Sequence, residues 1–123
     1  MSRLTIATLG AALLAATPVL AADPENGEKV FKKCQTCHDI KAEKNKVGPH
    51  LVGIIGRPAG SVEGFKYSDA MKNSGVTWTE ENIAIYVKDP KGFIKGNKMA
   101  FPGLKKDEEI ANVIAYLKAD PKP

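Results

Sequence analysis

Two cysteines and a histidine form a tight group near the start of the sequence. Cys34 and Cys37 are separated by two residues, and His38 follows the second cysteine directly. A C-x-x-C-H group is the pattern typical of covalent haem attachment. Two thiols at this spacing can lie on one face of a helical turn, where each can form a thioether with a haem vinyl group. The histidine that follows can then bind the iron as an axial ligand.

Other functions of this group agree less well with the sequence. A disulfide between Cys34 and Cys37 would close a very small loop and would constrain the unfolded chain little. A thioredoxin-like redox pair would need a βαβ pattern nearby, and the sequence shows no sustained strand alternation. A zinc site needs about four ligands, and the only histidines available besides the two thiols are His38 and His50. Haem attachment is therefore the favoured interpretation.

A methionine in an irregular segment is the candidate second ligand of the iron. Met99 lies in residues 96–103, a stretch that begins and ends with glycine and contains Pro102, so it predicts a loop. A thioether is a soft ligand that suits haem iron. Met71, in a predicted short helix, is assigned to packing or to the surface. His50 is a rival iron ligand in principle, but it lies beside a turn, which is typical of a surface residue.

Residues 1–21 have the features of a secretory signal peptide. Arg3 gives a positive start, an apolar run rich in alanine follows, and small residues predict cleavage after Ala21, with Ala22 as the other candidate. The alternative is an uncleaved membrane anchor, for which the run is short and too rich in alanine. We expect cleavage, one domain over residues 22–123 and no stable membrane insertion.

Composition and export limit the class of protein further. The chain has 123 residues, a formal net charge of +4 at pH 7 and only 7% aromatic residues. A domain of this size buries a modest core, to which a haem would add a large apolar element. The basic charge alone would allow nucleic-acid binding, but export to an oxidising compartment, as in a bacterial periplasm, argues against nucleic-acid partners.

The rest of the sequence predicts an all-α fold of short helices joined by long loops. The predicted helix starts are Asp23, Ser68, Thr79, Pro90 and Asp107. The first helix is expected to carry Cys34 on its apolar face. Gly27 in that helix predicts close approach by another helix, for which the apolar stripe of the last helix, Ile110 to Leu117, is the candidate.

Several further motifs occur in order across residues 24–118. Besides the haem motif they are Gly48-Pro49 with Leu51, Gly56-Arg57, Gly64-Phe65 with Tyr67 to Ala70, Trp78-Thr79, Tyr86, Lys98-Met99 with Phe101, and Ala115 to Lys118. With these motifs the sequence resembles class I cytochrome c, of the bacterial cytochrome c-two kind and similar to mitochondrial cytochrome c. The resemblance implies one covalently bound haem, enclosed by crossing N- and C-terminal helices and by shorter helices.

The same resemblance implies a role for each candidate residue. Cys34 and Cys37 would form the haem thioethers, and His38 and Met99 would be the axial ligands of the iron. Pro49 would accept a hydrogen bond from the imidazole of His38, as expected also from its rigid carbonyl. The other implied haem contacts are Arg57, Tyr67 and Trp78 at the inner propionate and Tyr86 at the sulfur of Met99. Three positions depart from the family pattern, namely Met71, Lys95 and Asn97, the last standing where a threonine usually bonds a propionate.

The implied function is one-electron transfer rather than enzymatic catalysis. A periplasmic carrier of this kind would connect a membrane reductase of the cytochrome bc type with an oxidase or a photosynthetic reaction centre. It would be a monomer that docks with acidic redox proteins through lysines around the haem edge, namely Lys33, Lys46, Lys91, Lys98, Lys105 and Lys106. The alternatives are a dedicated haem subunit of one dehydrogenase, an open-site haem enzyme or sensor, and a thiol–disulfide oxidoreductase.

Overall fold

Five α-helices make up the regular structure of the residues that the computed structural model describes, which are Gly10 and 22–123. In chain order they are α1 (Pro24–Phe31), α2 (Asp69–Lys72), α3 (Glu80–Lys88), α4 (Pro90–Phe93) and α5 (Asp107–Lys118). Within the described residues the β pairing is limited to one isolated bridge between Pro58 and Thr77. The all-α prediction is confirmed, whereas the predicted signal peptide at residues 1–21 lies, except for Gly10, outside the described residues.

Capping side chains explain where four of the helices begin. At the starts of α1 to α4, one side chain each accepts a hydrogen bond of 2.9 to 3.1 Å from a main-chain N–H of the first turn. The four capping residues are Asp23, Ser68, Thr79 and Asp89. Such caps satisfy donors that the helix itself leaves unpaired. The predicted starts of these four helices are confirmed.

The predicted cap of the last helix is wrong. Asp107 is the first residue of α5, and Lys106 occupies the capping position without a side-chain hydrogen bond. Asp107 instead forms an ion pair of 3.3 Å with Lys88. Together with Glu108 and Glu109 it places negative charge in the first turn, where the helix dipole favours it. Charge rather than a side-chain cap therefore stabilises this helix end.

The first helix is shorter than predicted and does not include Cys34. Helix α1 ends at Phe31, and residues 32–37 continue as turns. The N–H of Cys34 donates to the carbonyl of Phe31 at 2.7 Å, a spacing of three residues that winds the chain more tightly than an α-helix. The C-x-x-C-H group is therefore held by the turns that follow α1.

Helices α1 and α5 pack closely at Gly27. A Cβ atom at this position would lie 2.7 Å from the Cβ of Tyr116 and would overlap the main-chain carbonyl of Asn112. The ring of Phe31 lies 5.3 Å from that of Tyr116, measured between centroids. The N–H of Asp23 donates to the side-chain oxygen of Asn112 at 2.9 Å. The close helix approach predicted from Gly27 is confirmed, and it joins the two ends of the domain.

Buried apolar side chains from three helices form one core. They include Phe31 of α1, Ile83 and Tyr86 of α3, and Val113 of α5, together with Trp78 from the loop before α3. The rings of Trp78 and Tyr86 lie 4.9 Å apart. Among the residues described, no helix combines the length and apolar character needed to span a bilayer.

Candidate haem site

A cavity of about 340 Å³ lies between the turns after α1, helices α3 and α5, and the loops that connect the helices. Its wall is mainly apolar. All nine residues predicted to contact haem line it, namely Cys34, Cys37, His38, Pro49, Arg57, Tyr67, Trp78, Tyr86 and Met99. The rival ligand His50 is not among the lining residues and faces a separate cleft beside Glu43 and Glu63. The fold thus brings the candidate ligands to one place and leaves His50 outside it.

The imidazole of His38 is fixed by its neighbours in an orientation that suits a metal ligand. Its Nδ1 lies 2.7 Å from the carbonyl oxygen of Pro49, so Nδ1–H donates there and Nε2 is left for a metal. Burial lowers the pKa of His38, against the opposing effect of the Pro49 hydrogen bond, and so favours the neutral ring that metals bind. A Cβ at Gly48 would lie 2.7 Å from Nδ1 of the ring, so glycine is needed beside the imidazole.

The two cysteines form no disulfide with each other, and both line the cavity beside His38. The N–H groups of Cys37 and His38 both donate to the carbonyl of Cys34, at 3.1 and 3.0 Å, which keeps the three residues in one tight turn. Burial raises the pKa of the Cys34 thiol to about 11, although the charge of Lys33 acts in the opposite direction. Since a redox-active dithiol needs a lowered thiol pKa, this environment argues against a thiol–disulfide oxidoreductase.

A zinc site at the two thiols has no support in the arrangement of possible ligands. Over the described part of the chain, no group of three or more histidine, cysteine, aspartate or glutamate residues is placed to hold a metal ion. A structural zinc ion would need about four such ligands. The iron of a haem, in contrast, takes four nitrogen ligands from its own macrocycle and needs only two from the protein.

Met99 lies half-buried on the cavity wall within the loop between α4 and α5. The hydroxyl of Tyr86 lies 3.8 Å from its sulfur and donates to it. Burial raises the pKa of Tyr86 to about 12, so the hydroxyl keeps its proton. The main-chain N–H of Met99 donates to the side-chain oxygen of Asn97 at 2.8 Å. Both the sulfur and the backbone of this methionine are therefore held in place.

Polar groups at another part of the wall suit the carboxylates of a haem. Arg57 donates through Nη1 to the carbonyl of His50 at 3.0 Å, but its Nε is buried without a partner among the described residues. Burial also lowers the pKa of Arg57. The hydroxyl oxygen of Tyr67 accepts from the N–H of Val62 at 3.0 Å and still has its own proton to donate. An orphaned guanidinium N–H and a free phenol proton both fit a propionate.

Four of the six predicted docking lysines bond neighbouring groups of this chain. Lys33 pairs with Glu109 at 3.5 Å, and Lys46 donates to the carbonyl of Gln35 at 2.8 Å. The other two donate to main-chain carbonyls of the surrounding loops, namely Lys91 to Asn97, and Lys105 to Lys88 and Pro102.

The six lysines also differ in how close they lie to the cavity. Lys33 and Lys98 line it, and Lys98 has no hydrogen bond or ion pair within the described structure, whereas Lys106 does not line it. Lys66 also lines the cavity. Sequence reasoning missed this residue because it is a single exposed lysine in a loop without a motif.

Comparisons with known proteins identify relatives of this chain. A family model described as Cytochrome c matches residues 24–119. The chain is 53% identical over 102 residues to cytochrome c2 of Blastochloris viridis, covering 82% of this chain and 80% of that protein. It is 47% identical over 119 residues to cytochrome c2 of Rhodomicrobium vannielii, covering 95% of both chains.

A solved structure has a fold similar to that of this chain. Cytochrome cH from Methylobacterium extorquens superposes with a TM-score of 0.74 at 42% identity, covering 78% of this chain and 97% of the other. The family model and the relatives together show that the chain belongs to the class I cytochrome c family, whose members are electron carriers with covalently bound haem c.

Proposed function

We propose that the chain carries single electrons by means of one low-spin haem c whose iron has His38 and Met99 as axial ligands. The observation that carries this proposal is that both side chains line one cavity and that each is oriented by a hydrogen bond. The carbonyl of Pro49 holds the His38 ring, and the hydroxyl of Tyr86 contacts the sulfur of Met99. Haem iron with both axial positions filled is oxidised and reduced by one electron without binding oxygen or peroxide.

The protein residues would tune the site in three ways. The bond from Nδ1 of His38 to the carbonyl of Pro49 fixes the tautomer, so that Nε2 carries the lone pair, and strengthens the imidazole as a ligand. The Tyr86 hydroxyl, which stays protonated, donates to the Met99 thioether. Methionine ligation and an apolar wall both disfavour the additional positive charge of the oxidised iron, so we expect a high reduction potential.

We further propose attachment through Cys34 and Cys37 and export to the periplasm with removal of residues 1–21. Support comes from the C-x-x-C-H sequence, from the signal-like N-terminus and from the bacterial cytochromes c2 among the relatives. The test is the intact mass of the purified protein after acid–acetone extraction. The expected mass is that of a chain beginning at Ala22 or Asp23 plus one haem. A mass without haem would contradict the attachment, and a mass that includes residues 1–21 would contradict the cleavage.

The proposed partners are a membrane reductase of the cytochrome bc type as donor and an oxidase or a photosynthetic reaction centre as acceptor, each docking with the carrier as a monomer. The cytochromes c2 among the relatives support a carrier of this type. The ammonium groups of Lys46, Lys91 and Lys105 are held by main-chain carbonyls, which fixes positive charge on the surface before a partner arrives, whereas the charge of Lys33 is offset by Glu109. Charge held in place in this way suits electrostatic steering of an acidic partner.

Reversing the charge of Lys98 is the direct test of the docking surface. We expect Lys98→Glu to lower the association rate with a purified cytochrome bc-type complex by about three- to tenfold at low ionic strength, and to reduce the salt dependence of that rate. The reason is that Lys98 is exposed, lines the cavity and has no partner within the described structure. Stopped-flow kinetics at several salt concentrations would measure both quantities.

The matched control is Lys72→Glu at the end of α2. Lys72 is also exposed, but it does not line the cavity. Both variants change the net charge of the protein by the same amount. After correction for that change, we expect Lys72→Glu to associate at the native rate. Equal slowing by both variants would show that net charge rather than a docking surface governs the rate.

A further inference from the structure

Asn97 is one of three buried polar residues within the described chain, with 4% of its surface exposed, and it lies two residues before Met99. Its side-chain amide is fully used. Nδ2 donates to the carbonyls of Pro90 and Ile94, both at 2.8 Å, and Oδ1 accepts the main-chain N–H of Met99 at 2.8 Å. The two carbonyls belong to α4 and to the residue that ends it. One side chain therefore connects the backbone of Met99 to a helix.

Lys91 of α4 holds the same residue from another side. Its ammonium group donates to the main-chain carbonyl of Asn97 and lies 3.5 Å from Oδ1. Helix α4 thus contacts Asn97 through its backbone carbonyls and through a charged side chain. A residue that is bonded at both its backbone and its amide has few alternative conformations.

The loop that carries Met99 has little other backbone support. The N–H of Asn97 donates to the carbonyl of Ile94 at 3.2 Å, and the N–H of Leu104 donates to that of Val87 at 2.7 Å. In the described structure no N–H of residues 98–103 donates to a main-chain carbonyl. Between these two main-chain hydrogen bonds, the side chain of Asn97 is the group that accepts the N–H of Met99.

We infer that Asn97 is a positioning residue that keeps the thioether of Met99 on the haem iron by tying the Met99 backbone to α4. The inference rests on the proposed ligation by Met99 and goes beyond it by naming what holds the ligand. The chemistry requires an amide, since one end must donate to two carbonyls and the other must accept an N–H. An aspartate would keep the acceptor but would set a carboxylate oxygen against the carbonyls of Pro90 and Ile94.

The test is the affinity of free imidazole for the oxidised holoprotein. Imidazole binds the iron only in molecules in which Met99 has left, so its apparent affinity rises with the fraction of open sites. We expect Asn97→Ala to raise the apparent imidazole affinity by about tenfold or more, since a lost buried hydrogen bond is worth about a factor of ten. Asn97→Asp, which has nearly the same size, should raise the affinity as well. Optical titration in the visible region measures it.

A matched control separates positioning from general stability. Asn112 is also a buried asparagine, and its side-chain oxygen accepts the N–H of Asp23 at 2.9 Å, in the packing of α1 and α5. We expect Asn112→Ala to lower the free energy of unfolding but to leave the imidazole affinity at the native value. Native affinity in both Asn97 variants would overturn the inference, as would an equal rise in Asn112→Ala. A native protein that lacks the iron–sulfur absorption band would instead contradict the ligation itself.

Discussion

Replacing Met99 by alanine is expected to abolish the iron–sulfur absorption band of the oxidised protein and to lower its reduction potential. The thioether lines the cavity and accepts a hydrogen bond of 3.8 Å from the hydroxyl of Tyr86, and alanine offers no group that could bind the iron in its place. Axial ligands set haem reduction potentials over a range of roughly 0.8 V, and we expect the potential to fall by about a tenth of that range or more. Near-infrared absorbance and a redox titration measure the two effects.

The control for this prediction is Met71→Ala. Met71 also lines the cavity and is half-buried, but it lies on α2. We expect this variant to keep the absorption band and to lose at most a few kcal/mol of stability, as for other partly buried methionines that are truncated. A Met99→Ala protein with an unchanged band would show that Met99 is not the ligand. Loss of the band in Met71→Ala alone would assign the role to Met71.

Replacing Gly27 by alanine is expected to destabilise the folded protein by about 2–3 kcal/mol or more. The new methyl group would lie 2.7 Å from the Cβ of Tyr116 and would overlap the carbonyl of Asn112. Neither the Asn112 backbone nor the first side-chain carbon of Tyr116 can turn aside, so α1 and α5 would have to separate. This cost exceeds the gain of about 1 kcal/mol that alanine brings to a helix interior. Denaturant unfolding of the holoprotein measures the difference.

The neighbouring position provides the control for the helix contact. Asn26 is exposed on α1, and within the described residues its side chain bonds only the carboxylate of Asp23, at 2.9 Å. We expect Asn26→Ala to change the free energy of unfolding by no more than about 0.5 kcal/mol, as is usual for exposed positions. If Gly27→Ala were as stable as Asn26→Ala, the close contact between α1 and α5 would not be an important source of stability.

Local signals in the sequence predicted much of this structure. The capping residues Asp23, Ser68 and Thr79 predicted helix starts because a cap acts on the N–H groups two or three residues further along the chain. The carbonyl of Pro49 was predicted as the partner of His38 because a metal-binding histidine needs such an acceptor and proline fixes its backbone. A helix cap and the N–H group that it bonds lie within a few residues of each other in the sequence. The pairing of His38 with Pro49 follows from the known need of a metal-binding histidine for a hydrogen-bond acceptor.

Features that depend on the folded path of a loop were not predictable in the same way. Asn97 looked like a departure from the family pattern, and nothing in its sequence neighbourhood indicates that its amide bonds the carbonyls of Pro90 and Ile94. The lysines 91 and 105 were predicted only as surface charges, yet their ammonium groups bond main-chain carbonyls. Main-chain carbonyls are present at every residue, so the sequence does not show which of them a side chain will meet.

The central claim is that His38 and Met99 close the haem iron to outside ligands, which makes the protein a carrier of electrons. The most direct measurement is the visible spectrum of the reduced native protein before and after exposure to carbon monoxide at neutral pH. A closed site predicts a low-spin spectrum that carbon monoxide leaves unchanged over minutes. A prompt change to the spectrum of a carbon monoxide complex would contradict the claim, because it would show an open position on the iron of the kind that an enzyme or a gas sensor uses.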